Sequence, residues 1–383
     1  MGVRTAAAVV PRHDEFIGQK PARKRQDRPR MIEFFAGSGL VECGLGGMFE
    51  TVWANDICTK KANVYTANHG PEVFHLGDIQ DIDGSGIPAA HLSWASFPCQ
   101  DLSLAGLTSG IEAERSGLVW QWLRILDGMS VRPKVLVAEN VVGLVSTAGG
   151  KNYRQLHLAL QERGYRVGAV LLNAKHFVPQ SRPRIFVVAI ADDIDIPEDV
   201  IDDSSNWLHN DAIIRVSKGL PGWVWWRMPH PAPRRISLSS IIEWDAPADP
   251  AVVTERNLSM MPEAHRNKLL AASDDETVVA TGYKRTRMGK QVLEVRFDGI
   301  AGCLRTPEGG SSRQMLIMKR GGTISTRLLT VRETARLMGA SEDFLIPGGY
   351  NDGYKAMGDA VAAPVAEYLG RQLLLQLTEA AYE

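Results

Sequence analysis

The apolar residues of this chain are grouped as short buried strands and amphipathic helices in alternation. Short, mainly apolar runs that end at small or polar residues predict seven strands, at residues 32–35, 51–55, 74–76, 91–96, 135–138, 167–172 and 185–190. Between strands, residues 40–48, 118–129 and 153–163 have helical spacing. Strand and helix in alternation predict an α/β fold with a mostly parallel sheet and helices on both faces.

This rhythm ends after Ala191. Residues 191–205 are acidic and rich in turn residues, and the chain as far as about residue 325 has many prolines and no strand–helix alternation. We predict a second, smaller and irregular domain there, with its tryptophans in its core. Those tryptophans are Trp207, Trp223, Trp225, Trp226 and Trp244. Helical spacing returns at residues 330–338 and 360–377, and the latter predicts a long terminal helix.

The overall charge is balanced, so only local clusters can attract a polyanion. The 383 residues are 44% hydrophobic and 23% charged, with a formal net charge of −1. Residues 277–325 hold nine Lys/Arg against three acids, which predicts a basic face on the smaller domain. Residues 1–30 hold eight against three and predict a flexible basic arm. Two interpretations of this arm stay open: it contacts DNA, or it is an inert tail ahead of a translation start at Met31.

Cysteine usage and hydropathy indicate the compartment. The four cysteines are widely separated and form no Cys-x-x-Cys pair. This argues against a zinc site or disulfide framework and fits a reducing cytosol. There is no apolar run of membrane-spanning length and no signal-peptide core. We expect a cytoplasmic protein with no metal and no membrane partner.

Reactive side chains are predicted where strands end, which is where open α/β sheets place their chemistry. Cys99 follows the fourth strand and can act as a nucleophile if the thiolate is favoured. Glu139 ends the fifth strand, so neighbouring strand ends would bring the two together. A thiolate that attacks C6 of a pyrimidine, with an acid at N3, makes C5 a carbon nucleophile. Arg182 and Arg184, two apart on an extended run, could pair with Glu139 and with a base carbonyl.

Other strand ends suit a nucleoside-containing cofactor. A glycine turn, Phe35-Ala36-Gly37-Ser38-Gly39, follows the first strand and lets a ligand approach the backbone. Asp56 and Asp78 end the next two strands, where carboxylates commonly accept hydrogen bonds from ribose hydroxyls or an adenine amino group. Each of these features alone is equally a tight turn or a helix cap.

Taken together and in this order, these segments resemble the bacterial and phage DNA (cytosine-5) methyltransferases. The resemblance covers nearly the whole chain after Met31. Six blocks carry it: Phe35 to Gly39, Pro98-Cys99-Gln100-Asp101-Leu102-Ser103, Glu139-Asn140-Val141, Gln180-Ser181-Arg182-Pro183-Arg184, Arg327-Leu328-Leu329-Thr330-Val331-Arg332-Glu333 and Met357-Gly358-Asp359-Ala360-Val361. The second, third and fourth blocks together are highly specific.

The resemblance implies S-adenosylmethionine as cofactor and double-stranded DNA as substrate, with the target cytosine flipped out of the duplex. It implies Cys99 at C6, Glu139 at N3, and Arg184, supported by Arg182, at the base carbonyl. The cofactor residues it implies are Phe35, Ala36, Gly37, Gly39, Asp56, Ile57, Asp78, Ile79, Pro98, Val119, Asp359, Ala360 and Val361. The DNA contacts expected are Gln100, Ser103, Gln180, Arg285, Arg287, Arg305, Thr306 and Arg313.

One residue departs from the family pattern, in which Asn usually follows Gly in the last block. This chain has Asp359 there, at a position that lines the cofactor pocket in relatives. Two interpretations stay open: a tolerated variant, or a changed affinity for, or choice among, sulfonium cofactors. Comparison of Asp359→Asn with the natural chain would separate them.

The resemblance also implies a discontinuous catalytic domain. We expect the arm at residues 1–30, the first catalytic part at 31–195, a target-recognition domain at 196–325, and a C-terminal part at 326–383 that completes the catalytic domain. A monomer is expected, with a restriction endonuclease as a functional partner or an orphan or phage-borne role instead. Two rivals stay open: a tRNA cytosine-5 methyltransferase, and a catalytically silent DNA-binding protein.

Overall fold

The computed structural model describes residues 28–98, 117–305 and 313–382. Residues 1–27 of the predicted arm lie outside the described residues, as do Cys99, Gln100, Ser103 and Thr306. The described residues fall into two compact units. The large-sheet unit comprises residues 28–98, 117–173, 183–231 and 363–382, and the small-sheet unit comprises residues 174–182, 232–305 and 313–362.

The large-sheet unit is built on a seven-stranded sheet in the order β3-β2-β1-β4-β5-β7-β6. All pairings are parallel except those of β7, which runs antiparallel to β5 and β6. The predicted α/β fold with a mostly parallel sheet is confirmed. The strands are β1 (Arg30–Phe34), β2 (Glu50–Asp56), β3 (Phe74–Leu76), β4 (Leu92–Ala95), β5 (Val135–Val141), β6 (Tyr165–Asn173) and β7 (Pro183–Ala191).

The helices follow the amphipathic pattern where it is strong. In chain order they are α1 (Leu40–Leu45), α2 (Thr59–His69), α3 (Leu118–Gly128), α4 (Gly143–Ser146), α5 (Lys151–Gln161), α6 (Asp211–Ser217), α7 (Ala251–Ser259), α8 (Glu263–Ala271), α9 (Val331–Leu337), α10 (Tyr350–Asp359), α11 (Ala363–Leu369) and α12 (Leu375–Tyr382). On α3, Val119, Trp122, Leu123 and Leu126 are buried at helical spacing, so this face packs into the core. No helix among the described residues is long and apolar enough to cross a bilayer.

The C-terminal helices belong to the large-sheet unit. A π-helical turn, Gly370–Leu374, joins α11 to α12, so the predicted terminal helix is present but not uniform. Helix α11 packs against α1, and a Cβ on Gly44 would lie 2.4 Å from the carbonyl oxygen of Ala363. The two helices can approach this closely only because that position is glycine.

The small-sheet unit is more regular than the sequence predicted. Its four-stranded antiparallel sheet has the order β11-β10-β12-β13 and packs over Leu269, Leu293 and Ile317, which are fully buried. The strands are β10 (Val278–Arg287), β11 (Lys290–Arg296), β12 (Gln314–Arg320) and β13 (Thr323–Leu328). Sequence pattern missed them because the outer half of the β10–β11 hairpin extends past the core and carries charges where alternation would require apolar residues.

The predicted tryptophan core of the smaller domain was wrong for four of the five residues. Trp207, Trp223, Trp225 and Trp226 lie in the large-sheet unit, where β8 (Ile201–Asp202) pairs with β9 (Trp225–Trp226). Trp226 is fully buried and its Nε1 donates to the carbonyl oxygen of Val188 at 3.3 Å. Pattern alone could not assign them, because residues 192–231 belong to the large-sheet unit although they follow the last strand of its alternation.

A buried ion pair organises the start of α9. Both carboxylate oxygens of Glu333 accept from the Arg327 guanidinium, at 2.6 and 2.7 Å, and both side chains are buried. The same carboxylate accepts from the backbone N–H of Thr330, whose hydroxyl accepts from the N–H of Glu333, which completes a capping box. The backbone N–H of Glu243 also donates to Glu333. One carboxylate thus accepts hydrogen bonds both from the backbone at the start of α9 and from a buried guanidinium.

We therefore expect Glu333→Ala to lower the free energy of unfolding by about 3–5 kcal/mol, because it leaves the Arg327 guanidinium buried without its counter-charge. Urea denaturation at pH 7 measures this. The matched control is Glu342→Ala, whose carboxylate pairs with Arg336 at 2.7 Å but is 46% exposed, and which should cost at most about 1 kcal/mol. Equal losses in the two variants would contradict this account.

Candidate active site

The glycine turn after β1 has an unusual backbone. Phe35, Gly37 and Gly39 all have positive φ angles, of 58°, 57° and 81°. A Cβ on Gly39 would lie 2.5 Å from the His69 ring and 2.9 Å from Tyr65, so only glycine fits. At Gly37 the nearest atoms to such a Cβ are 3.9 Å away. The turn is therefore packed on one side and leaves the backbone approachable at Gly37.

Asp56, at the end of β2, holds this turn in place by hydrogen bonds. One carboxylate oxygen accepts from the Gly37 N–H at 2.9 Å and the other from the Cys58 N–H at 2.8 Å. Each oxygen keeps a further lone pair, so hydroxyl donors can still bind. Ile57, directly after it, is an apolar side chain that is 66% exposed. Asp78, after β3, caps a short 3₁₀ turn by accepting from the Gln80 N–H at 2.9 Å.

Glu33 is a buried acid that sequence reasoning missed. It lies in the middle of β1, it is 1% exposed, and its Oε2 has no hydrogen-bond partner among the described residues. Burial raises the pKa of its carboxyl well above the ordinary value, and the negative charges of Glu42 and Asp56 add to the effect. The Tyr65 hydroxyl is also buried without a partner in the described residues. The sequence feature that could have identified Glu33 is a single acidic residue inside an otherwise apolar predicted strand.

Glu139 and Arg184 form the expected ion pair. The pairing of β5 with antiparallel β7 sets Val141 opposite Arg184, so the end of β5 meets the start of β7. Nε of Arg184 lies 3.0 Å from Oε1 of Glu139, and the side chains are 15% and 9% exposed. The Arg184 Nη1 donates to the Pro183 carbonyl oxygen at 2.9 Å. Restricted solvent strengthens this pair relative to a surface salt bridge.

Asn140, inside the Glu-Asn-Val block, was not among the predicted site residues. It is buried, and its Nδ2 donates to the Phe97 carbonyl oxygen at 2.9 Å. Its Oδ1 accepts from the Val141 N–H at 2.9 Å. This amide ties the end of β5 to the segment that follows β4, directly before Pro98, which is exposed. The segment leading to Cys99 is therefore held beside Glu139.

Arg182 and Gln180 have interior partners within the small-sheet unit. Arg182 is 2% exposed, and its guanidinium donates to the carbonyl oxygens of Leu304, Gly358 and Ala360 at 3.0, 2.9 and 2.6 Å. Gln180 is fully buried, with its Nε2 donating to the Leu337 carbonyl oxygen at 2.8 Å. Because the Gln180 amide is buried, it is not accessible to DNA, which contradicts the DNA contact expected of Gln180.

The remaining predicted DNA contacts in the small-sheet unit differ in their bonding. Arg285 and Arg305 are exposed. Arg287 is exposed but pairs with Glu294 at 2.5 Å. Arg313 donates to Asn351 at 2.5 Å and lies over the Tyr350 ring. Sequence alone could not separate arginines with internal partners from those open to a ligand.

The cofactor residues divide between the units. Phe35, Ala36, Gly37, Gly39, Asp56, Ile57, Asp78, Ile79 and Val119 belong to the large-sheet unit, and Asp359, Ala360 and Val361 to the small-sheet unit. Ala36, Ile79 and Val119 are buried, so any ligand contact there comes from the backbone or from the surface they support. An approachable turn, two carboxylates and an exposed isoleucine fit a nucleoside with ribose hydroxyls. No group of His, Cys, Asp and Glu among the described residues could hold a metal ion.

Comparison with known proteins shows the family to which the chain belongs. Residues 29–375 match the family model described as C-5 cytosine-specific DNA methylase. Type II methyltransferase M.Bsp6I from Bacillus sp. (strain RFL6) is 27% identical over 351 residues, covering 90% of this chain and 98% of that relative. Orphan methyltransferase M.SPRI from Bacillus phage SPR is 34% identical over 170 residues, 43% of this chain and 38% of its own. The S. pombe Dnmt2 methyltransferase structure has a TM-score of 0.58 at 18% identity, covering 93% of this chain and all of that one, and shows the fold alone.

The buried Glu33 predicts a pH effect on stability. Between the ordinary carboxyl pKa and the raised pKa, the unfolded chain loses the proton that the folded chain keeps, so the free energy of unfolding falls as pH rises. Glu33→Gln removes this pH-dependent loss of stability, because a glutamine side chain does not ionise. Thermal melts without cofactor should show the Tm difference, variant minus natural chain, growing as pH rises above about 4.3.

Glu72→Gln, at an exposed position of the same unit, is the control and should show no such trend. A pH-independent difference for Glu33→Gln would contradict the interpretation.

Proposed function

Since the chain belongs to the C-5 cytosine-specific DNA methylase family, we propose that it methylates C5 of cytosine in duplex DNA through Cys99, Glu139 and Arg184. The observation that carries the assignment of residues is the ion pair between Arg184 and Glu139 beside the amide of Asn140. Together they bring an acid, a guanidinium and the segment that precedes Cys99 to the carboxyl end of β5. Cys99 itself is assigned by its position in the Pro-Cys-Gln block.

In the proposed reaction the Cys99 thiolate adds to C6 of a flipped cytosine, and the displaced π electrons are held at N3 by a hydrogen bond or proton from Glu139. The enamine so formed is nucleophilic at C5. S-adenosylmethionine, when bound, supplies an electrophilic methyl group. C5 would form the new bond to this methyl group, and the electron pair of the broken S–CH3 bond would stay on the sulfur of the departing S-adenosylhomocysteine. Loss of the C5 proton to a base then expels the Cys99 thiolate and restores the aromatic ring. The enzyme is thereby regenerated.

Arg184 has two tasks in this proposal. Its Nε holds the Glu139 carboxylate, which orients the acid toward N3. Among the described residues, Glu139 and the Pro183 carbonyl oxygen engage Nε and Nη1, so we assign Nη2 to the carbonyl oxygen of the base. A cation there stabilises the charge that addition of the thiolate places on the ring.

We assign Arg182 a positioning role instead of a base contact. Its guanidinium is committed to carbonyl oxygens on both sides of Asp359. It thereby holds the backbone of Gly358 to Ala360, where the family pattern has its last cofactor block. Asp359 is exposed. The effect of the Asp359 charge on cofactor affinity is measured by comparing S-adenosylmethionine binding by the natural chain and by Asp359→Asn.

The proposed target-recognition role falls on residues 232–305 and 313–325, the part of the predicted 196–325 domain that lies in the small-sheet unit. Its β10–β11 hairpin is rich in cations, which suits phosphate contacts that hold register while other side chains read base edges. Ser103, Gln100 and Thr306, outside the described residues, remain assigned to DNA by family resemblance. The cofactor carboxylates Asp56 and Asp78 belong to the other unit.

The biological setting is also a proposal. Relatives named as Type II methyltransferases favour a role beside a cognate restriction endonuclease, whereas the phage relative is named an orphan. A monomer remains our expectation. Light scattering of the purified chain tests the monomer, and challenge of its methylated DNA with endonucleases of the same recognition sequence tests the pairing.

The deciding experiment transfers labelled methyl from S-adenosylmethionine to duplex DNA and to tRNA, followed by bisulfite sequencing. We expect label in DNA, confined to one short sequence and lost in Cys99→Ser. Label in tRNA would keep the mechanism and overturn the substrate. DNA binding without any label would instead indicate a silent binding protein.

Glu139→Gln should lower kcat by about 10²–10⁴-fold, because the amide cannot protonate N3. Affinity for S-adenosylmethionine, measured by calorimetry, should change little. Glu162→Gln, on the exposed end of α5, is the matched control and should retain full kcat. A Glu139→Gln enzyme with undiminished kcat would remove Glu139 from the chemistry.

A further inference from the structure

The β10–β11 hairpin ends in a turn that its sequence does not favour. Arg287 pairs with Lys290, so Met288 and Gly289 form a two-residue loop. Both loop residues have positive φ angles, of 48° and 76°. Such turns favour Asn-Gly or Asp-Gly, because Asn and Asp tolerate the left-handed region better than other L residues. A methionine here costs backbone strain that asparagine would reduce.

Packing does not account for Met288. Its relative exposure is 104%, the largest of any large hydrophobic residue in the described chain. Its side chain therefore gains nothing from burial within this protein, while it exposes apolar surface to water. A residue that serves neither turn nor core is a candidate for function.

Cations surround this methionine. Side chains alternate along a strand, so Arg285, Arg287 and Lys290 project from the same face of the hairpin. Arg287 is held by Glu294, with hydrogen bonds of 2.8 and 2.5 Å. Arg285 and Lys290 are exposed, and in the described part of the chain neither makes a hydrogen bond or an ion pair. Two exposed cations beside an apolar tip complement a polyanion whose interior is apolar.

The hairpin is braced from within. The Tyr283 hydroxyl donates to Glu294, the same carboxylate that Arg287 contacts. Tyr283 lies directly opposite Glu294 in the register. This links the two strands below the tip, so Met288 stands on a supported ribbon, and a two-stranded ribbon fits the major groove of B-DNA.

We propose that Met288 is an apolar wedge that enters the duplex and unstacks bases of the recognition sequence, while Arg285 and Lys290 bind the flanking phosphates. Apolar side chains that separate base steps lower the cost of extruding a nucleotide. The inference rests on the proposed function and adds a residue for opening the stack. The occupant is duplex DNA, not a second copy of the chain or another protein.

The test compares methyl transfer to two duplexes that differ only at the target base pair, one matched and one with the target cytosine mispaired. Met288→Asn should improve the turn, so it tests the wedge without unfolding the hairpin. We expect kcat/KM to fall about tenfold or more on matched DNA and less than about threefold on mispaired DNA, since the mispair is already weakly stacked. Met288→Leu should retain most activity on both.

The control is Val252→Ala, at a position on α7 that is 72% exposed and has no assigned role, with kcat/KM unchanged on both duplexes. Equal losses of Met288→Asn on the two duplexes, or no loss, would overturn the wedge. Wild-type chain that labels no DNA would overturn the proposed function, and this inference with it. Arg285→Ala and Lys290→Ala should each reduce the salt slope of DNA binding by about 1, and an unchanged slope would remove them from the phosphate contacts.

Discussion

The ion pair between Arg184 and Glu139 is the contact on which the proposed chemistry depends. It exists because β7 runs antiparallel to β5, so the first residues of β7 meet the last residues of β5. If β7 ran parallel to β5, Arg184 would lie at the opposite end of the strands from Glu139. The amide of Asn140 extends the arrangement to Phe97, two residues before Cys99. Residues far apart in the chain thus meet because the ends of neighbouring strands are adjacent.

Buried charge holds two backbone segments of the small-sheet unit in place. Arg182 is surrounded by carbonyl oxygens near the 358–360 segment, and Glu333 joins Arg327 to the start of α9. Such groups stabilise only when their hydrogen bonds are complete, because desolvation of the charge must be offset. Glu33 differs, since its Oε2 has no partner among the described residues and it is favoured as a neutral acid. A neutral carboxyl on β1 can donate a hydrogen bond that a carboxylate could not.

In the small-sheet unit, residues that stabilise the core and residues proposed to contact DNA lie on different parts of the same strands. The inner halves of β10 and β11 supply apolar residues such as Ala280 and Leu293 to its core. The outer halves carry cations beyond that core, where no packing constrains them. Substitutions there would leave the core intact, which is the property that the proposed recognition element on a rigid scaffold requires.

The sequence by itself determined the strand order along the chain, the motif residues at strand ends and the family. These depend on local pattern: a strand as short as Phe74–Leu76 ends at a recognisable turn, and Pro-Cys-Gln, Glu-Asn-Val and Gln-x-Arg-x-Arg occur in fixed order. It did not determine which partners the two arginines take. Alternation predicted a common side for Arg182 and Arg184, yet β7 begins only at Pro183, so Arg182 lies before the strand and turns to other carbonyl oxygens.

Only the tertiary structure assigned Trp226 to the large-sheet unit, placed Asn140 against Phe97 and revealed the burial of Glu33 and Gln180. Each of these depends on contacts between segments far apart in the chain. Hydrophobic pattern reports whether a side chain prefers to be buried but not against what, and the partner decides its chemistry.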